Sequence, residues 1–106
     1  MTQESLGEFE HCVLAAVLHL GDEAYGVTIR RAIGERTGRD VAIGALYTSL
    51  DRLERKGYLR STMSDPTPER GGRSKRYVSV TAAGVRAMQR SRARLLRMWD
   101  GLEPSV

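Results

Sequence analysis

The sequence has one cysteine, few aromatic residues and no long apolar run. The single Cys12 excludes an intramolecular disulfide and any metal site built on paired cysteines. No stretch approaches the roughly 20 apolar residues that cross a bilayer, and the first ten residues lack the basic start of a secretion signal. The 106 residues are enough for one domain. We therefore expect a soluble, cytoplasmic protein with no membrane partner.

Positive charge is absent from one part of the chain and concentrated in another. Residues 1–29 contain five acidic residues and no lysine or arginine, whereas all 17 basic residues lie within 30–99. The formal net charge is +4. Such a concentration is expected of a protein that binds a polyanion, and an ordinary solvated arginine-rich surface is the alternative.

The hydrophobic spacing predicts a mainly α-helical chain with one small β-hairpin. We expect four helices, in chain order over 5–20, 25–36, 43–56 and 81–102. Two alternating stretches, 58–63 and 75–80, flank a polar loop rich in glycine and proline, which predicts a hairpin with a long loop. The order α-α-α-β-wing-β-α is that of a winged helix-turn-helix. We expect 1–80 to form its DNA-binding domain and 81–106 a C-terminal dimerisation helix.

Capping residues in the sequence predict where three of the helices begin or end, and the apolar spacing predicts the buried side of the second helix. Ser5 and Glu8 have the spacing of a capping box at the start of the first helix. Gly38 is the expected end of the second helix, whose inner side is expected to include Val27. Thr81 is the expected N-cap of the last helix.

The third helix sorts its side chains by size and charge. Its expected buried face consists of Ile43, Leu46, Leu50 and Leu53. An acid-free face consists of Ala45, Thr48, Ser49, Arg52 and Lys56. Asp51 and Glu54 project on the far side with Tyr47. Small side chains, then hydroxyls, then cations suit a helix in the major groove of DNA, and a solvated amphipathic helix is the alternative.

The last helix carries an apolar stripe that no later element can cover. The stripe consists of Val85, Met88, Leu95, Leu96, Trp99 and Leu102, with Arg92 in its middle. Such a stripe needs the first helix or a second subunit to bury it.

Three stretches carry a family resemblance: AYGVTI, GALYTSLDRLERKGYL and GGRSKRYVSVTAAG. In this order they resemble the PadR family of bacterial transcriptional regulators over about residues 8–100. The family commonly has a threonine before Leu46-Tyr47 and a proline after them, where this chain has Ala45 and Thr48. The resemblance implies a homodimer, assembled through the first and last helices, that binds a palindromic operator in double-stranded DNA, usually as a repressor.

The resemblance also implies candidate DNA contacts. On the third helix they are Ala45, Tyr47, Thr48, Ser49 and Arg52. On the wing they are Arg70, Arg73, Lys75 and Arg76. Tyr25, near the start of the second helix, is a further candidate for a phosphate contact. A packing role is the alternative for Tyr25 and for Tyr47.

The implied dimer interface uses both apolar helices. Its candidate residues are Leu6, Phe9, Val13, Val17, Val85, Met88, Arg92, Leu95, Leu96, Trp99 and Leu102. Arg92 is costly to bury alone, so we expect it to pair with Glu4, Glu8 or Glu10 of the partner subunit. Trp99 offers a flat face for a small hydrophobic or planar effector at the dimer centre, and ordinary packing is the alternative.

No catalytic or metal-binding motif is present. The sequence contains no GxSxG, P-loop, GxGxxG or HExxH. His11 and His19 would lie about 12 Å apart along one helix, so they cannot share a metal within a subunit. We therefore expect no enzymatic activity and no cofactor. Two other functions stay open: a winged-helix protein-interaction module without DNA binding, and a regulator whose main role is to sense a small molecule.

Overall fold

The computed structural model of the chain describes residues 5–64 and 74–104. Its elements are α1 (Glu8–Leu20), α2 (Gly26–Thr37), α3 (Ile43–Arg55), β1 (Leu59–Met63), β2 (Arg76–Val80) and α4 (Ala82–Trp99). A short 3₁₀ turn, Gly21–Glu23, joins α1 to α2. This arrangement confirms the predicted fold class, a mainly helical chain with one antiparallel hairpin.

The two strands of the hairpin pair with each other, and a backbone hydrogen bond ties them to the helical part of the molecule. Leu59 pairs with Val80 and Met63 with Arg76, so the strands are in antiparallel register along their whole length. The N–H of Val78 donates to the carbonyl of Ala24 at 3.0 Å, which adds a bridge from β2 to the segment before α2. The two strands therefore project from the helices at a fixed position, as the base of a wing.

The core lies where α1, α2 and α3 meet the hairpin. Its largest fully buried side chains are Val13, Leu14, Ile29, Ile33, Leu46, Leu50 and Leu53. Each contributes about 1.5–3 kcal/mol by leaving water. Two predictions of burial were wrong, since Ile43 and Val27 are exposed. Both lie in the first turn of their helix, and Val41, just before α3, is buried instead of Ile43.

The helix ends follow the sequence signals with one exception. α1 begins after Gly7, whose N–H donates to the Glu10 carboxylate at 3.1 Å, so the predicted pairing of Ser5 with Glu8 was wrong. The predicted end of α2 is confirmed, because Gly38 adopts the left-handed conformation with φ of 75°. The hydroxyl of Thr81 accepts the N–H of Gly84 at 3.1 Å, which confirms the cap of α4.

Candidate nucleic-acid interface

The outer face of α3 carries most of the predicted base contacts. Ala45, Thr48 and Arg52 are all exposed. The Thr48 hydroxyl donates to the Gly44 carbonyl at 3.0 Å, which holds the side chain along the helix and leaves its oxygen available as an acceptor. α3 therefore presents a small residue, a hydroxyl and a guanidinium over two turns, the pattern expected of a helix that reads the major groove.

Ser49 and Lys56 do not belong to this outer face. Ser49 is 5% exposed, so it is not available to a base and its prediction as a contact was wrong. It follows Leu46 by three residues and precedes Leu53 by four, which places it on the buried stripe. The Lys56 ammonium lies 3.1 Å from both carboxylate oxygens of Glu10, so this cation faces α1.

Two tyrosines pack where α2 and α3 approach the wing. The Tyr25 ring meets the Tyr77 ring edge-on, with 5.4 Å between centroids, and the Lys75 ammonium lies 4.5 Å from the Tyr25 centroid. The Tyr47 hydroxyl lies against Gly26, where an added Cβ would be 2.5 Å away. Both tyrosines thus have packing roles, and their contacts with DNA stay predictions.

The two predicted wing contacts that lie in the described residues, Lys75 and Arg76, have different surroundings. Lys75 is exposed and its ammonium stacks on Tyr25, so it stands at the surface beside the hairpin. Arg76 turns inward, and its guanidinium contacts Asp51 and Glu54 of α3 at 2.8 and 3.2 Å. The predicted contacts Arg70 and Arg73 lie outside the described residues.

The predicted dimer interface divides into a buried part and an exposed part. Val13 and Val17 are 0% and 2% exposed within one subunit, so their prediction as interface residues was wrong. The rest of the chain covers their side of α1. Leu6, Phe9, Val85 and Met88 are half-buried. The second half of α4 instead exposes large apolar side chains to 52–76% of their surface, namely Leu95, Leu96, Met98, Trp99 and, just after the helix, Leu102.

A groove of about 700 Å³ lies between the start of α1 and the second half of α4. Leu6, Leu96 and Trp99 line it, and His11 Nδ1 and Ser91 Oγ form a hydrogen bond of 3.2 Å across it. Trp99 thus lines a groove of one subunit, and its contact with an effector at the dimer centre stays a prediction.

The structure reduces the number of acidic residues that can pair with Arg92 of a second subunit. Arg92 and Glu8 both line the groove and are exposed. Glu10 is excluded, because it is buried and bound to Lys56 in its own subunit, and Glu4 lies outside the described residues. Among the predicted acidic partners that the structure describes, Glu8 is therefore the one whose side chain is accessible to a second subunit.

Within residues 5–64 and 74–104, no group of histidine, cysteine or acidic side chains is arranged to hold a metal ion. No helix in the same ranges is long and apolar enough to cross a bilayer.

A sequence model of the transcriptional regulator PadR-like family matches residues 13–90. The chain belongs to the PadR-like family. No match is found among curated protein sequences. This membership confirms the resemblance seen in the sequence motifs and identifies the fold and family as those of transcriptional regulators.

Solved structures agree with the PadR-like assignment. A transcriptional regulator from Clostridium thermocellum is 22% identical, with a TM-score of 0.73 over 86% of this chain and 85% of that one. A PadR family transcriptional regulator from Eggerthella lenta is 26% identical, with a TM-score of 0.68 over 84% and 75% of the two chains. F93 from STIV, a winged-helix DNA-binding protein, is 16% identical, with a TM-score of 0.71 over 94% and 100%, and supports the winged-helix fold.

One further exposed cation lies on α3, outside the contacts predicted from the sequence. Arg55 is exposed and follows Thr48 by seven residues, or two helical turns, so both point the same way. With Arg52 it places two guanidinium groups near the end of α3. The spacing of the residues could have identified Arg55, because it lies on the same side of the helix as Thr48 and on the side opposite to the buried Leu46.

Proposed function

We propose that the protein is a homodimeric repressor that binds a palindromic operator, with α3 in the major groove. The exposed face of α3 carries this proposal, because Thr48, Arg52 and Arg55 point away from the core along one side of the helix. Thr48 and Arg52 would select bases, since a hydroxyl and a guanidinium match the acceptors on purine edges. Arg55, one turn nearer the end of the helix, is placed for a phosphate.

The wing would supply contacts to the phosphate backbone. Lys75 is exposed beside the hairpin, and the wing loop carries Arg70 and Arg73 in its sequence. Contacts between these cations and phosphates add affinity without sequence preference and release counterions. Binding is therefore expected to weaken steeply as salt is raised.

A second copy is the proposed cover for the end of α4. Large apolar side chains exposed in a continuous stretch mark an interaction surface, and a palindrome requires two reading helices related by a two-fold axis. Glu8 and Arg92 on the same side provide opposite charges that two copies can exchange. In this proposal residues 1–80 bind DNA and residues 81–106 carry the dimer contact.

A fluorescence anisotropy titration tests the proposal, using a labelled duplex from the region upstream of the protein's own gene and a scrambled duplex of equal length as the control. We expect tighter binding of the upstream duplex, and a log–log salt slope of about −0.9 for each neutralised phosphate. Sedimentation should give a dimer at micromolar concentration. Weak binding that ignores sequence would favour the protein-interaction module instead, and a monomer would exclude the paired reading helices.

The groove beside Trp99 supports a second, regulatory function. Its volume of about 700 Å³ lies within the ~300–1,000 Å³ range of small-molecule sites, and an indole gives a planar ligand a surface to stack on. A bound planar effector would shift the population of dimers whose α3 helices are correctly spaced for two half-sites. Quenching of Trp99 fluorescence by planar compounds, together with weakened operator binding, would support this role.

A further inference from the structure

Arg76 joins β2 to α3 through two polar contacts and to β1 through a third. Its Nε donates to the Ser61 hydroxyl at 2.9 Å, its Nη1 to Asp51 at 2.8 Å and its Nη2 to Glu54 at 3.2 Å. One guanidinium thus contacts β1 and both acidic residues of α3. Its side chain is 20% exposed, so these contacts are partly shielded from water.

The alternation of side chains along the strands explains this inward direction. Arg76 pairs with Met63, and Ser61 pairs with Val78, so these four residues share one face of the hairpin. That face packs on the core, since Val78 is buried. Arg76 continues the same face beyond the end of the core, where its guanidinium meets α3 instead of solvent.

We propose that Arg76 is a positioning residue for DNA binding: it fixes the wing against α3 and offsets part of the negative charge of the two carboxylates of α3. This inference rests on the proposed function, because it concerns how α3 meets DNA. It differs from the sequence-based interpretation of Arg76 as a DNA contact. The three bonds engage Nε, Nη1 and Nη2 of the guanidinium with Ser61, Asp51 and Glu54.

The electrostatic consequence follows from where Asp51 and Glu54 lie. Both are on α3, within four residues of Arg52 and Arg55. Without Arg76, two exposed carboxylates would stand within a Debye length, about 8 Å, of the phosphates that flank a bound helix. Their repulsion and the loosened wing would weaken binding by about tenfold, an effect that depends on the presence of the acids.

A double-mutant cycle tests this dependence, with binding to the upstream duplex measured by anisotropy in 0.1 M salt (~10 Å Debye length). The proteins are wild type, Arg76→Gln, Asp51→Asn/Glu54→Gln, and the triple variant that combines all three changes. We expect Arg76→Gln to cost about tenfold in the wild-type background and less than about twofold in the background without the acids. Arg86→Gln, an equal charge change at an exposed position on α4, is the matched control and should cost less than about twofold.

Each other outcome overturns the proposal. If Arg76 touches phosphate itself, Arg76→Gln will cost the same in both backgrounds, and the triple variant will have a salt slope shallower than wild type by about 0.9 for each lost contact. If wild type binds the upstream duplex no better than the scrambled one, the proposed function fails as well. If wild type prefers the upstream duplex but the losses from Arg76→Gln and from the two acid substitutions are additive, only the role of Arg76 is refuted.

Amide hydrogen exchange gives a readout that does not need DNA. The wing is closed at its described end by the Ser64 N–H donating to the Lys75 carbonyl at 2.9 Å. If Arg76 holds this end against α3, Arg76→Gln should speed exchange of the Ser64 amide severalfold and leave the Val78 amide, bonded to Ala24, unchanged. Unchanged exchange at Ser64 would contradict the positioning role.

Discussion

Replacing Lys56 with alanine is expected to destabilise the fold by about 3 kcal/mol, because it leaves a buried carboxylate without its cation. Glu10 is 7% exposed, and the Lys56 ammonium lies 3.1 Å from both of its oxygens. The same ammonium donates to the Ser5 carbonyl at 3.3 Å. After the change, Glu10 retains the N–H of Gly7 as a donor, which is one neutral hydrogen bond in place of an ion pair.

The size of the effect follows from the burial of the pair. Removal of one partner from a buried ion pair costs about 3–5 kcal/mol. The side chains of Lys56 and Glu10 are 12% and 9% exposed, so some water reaches the pair and the lower end of that range applies. In a domain of this size each kcal/mol lowers the melting temperature by roughly 4–8 °C, so a fall of roughly 12–24 °C is expected.

Urea denaturation followed by circular dichroism measures this cost, at one fixed protein concentration because the proposed dimer would contribute to apparent stability. The matched control is Glu10→Gln/Lys56→Met, which removes both charges and leaves no buried ion unpaired. We expect the double variant to recover most of the lost stability. A cost below about 0.5 kcal/mol for Lys56→Ala, or a double variant as unstable as the single one, would refute the reasoning.

Three further changes test the packing, the reading face and the dimer contact. Gly84→Ala should destabilise the fold by about 2 kcal/mol, because the new Cβ would collide with the Tyr58 carbonyl, whereas Gly44→Ala meets nothing within 4 Å and should be neutral or stabilising by up to about 1 kcal/mol in thermal unfolding. Arg52→Ala should weaken binding of the upstream duplex by about 1–3 kcal/mol and that of a scrambled duplex much less, and equal losses in a competition titration would exclude base reading. Leu96→Asp should shift sedimentation from dimer to monomer without loss of helical circular dichroism, and an unchanged dimer would place the contact elsewhere.

The helices could be predicted from the sequence, because the spacing of the apolar residues within each helix indicates which side of that helix is buried. In α3 the stripe of Leu46, Leu50 and Leu53 is confirmed, and all three are buried. Ser49 was grouped with Ala45, Thr48 and Arg52 by its position around the helix, but it borders the buried stripe and is 5% exposed. A small side chain at the border of an apolar stripe can lie on either side of that border, so helical spacing alone does not decide its burial.

The ion pairs of the candidate site were beyond prediction from sequence. Glu10 and Lys56 are 46 residues apart, and Arg76 is 22 residues from Glu54. Periodicity places each residue on a face of its own element but does not say which other element that face meets. Cations that look alike in the sequence therefore point in different directions in the structure. Arg52 lies on the outer face of α3, whereas Lys56 and Arg76 are directed inward.

These contacts hold α3 from both of its flanks. Glu10 binds Lys56 on the side of α1, and Arg76 binds Asp51 and Glu54 on the side of the wing. The first turn of α1 also borders the groove beside Trp99, through Glu8. A change in the groove that moves this turn must either carry Lys56 and the end of α3 with it or break a buried ion pair. The Glu10–Lys56 ion pair therefore joins the helix that borders the groove to the end of α3.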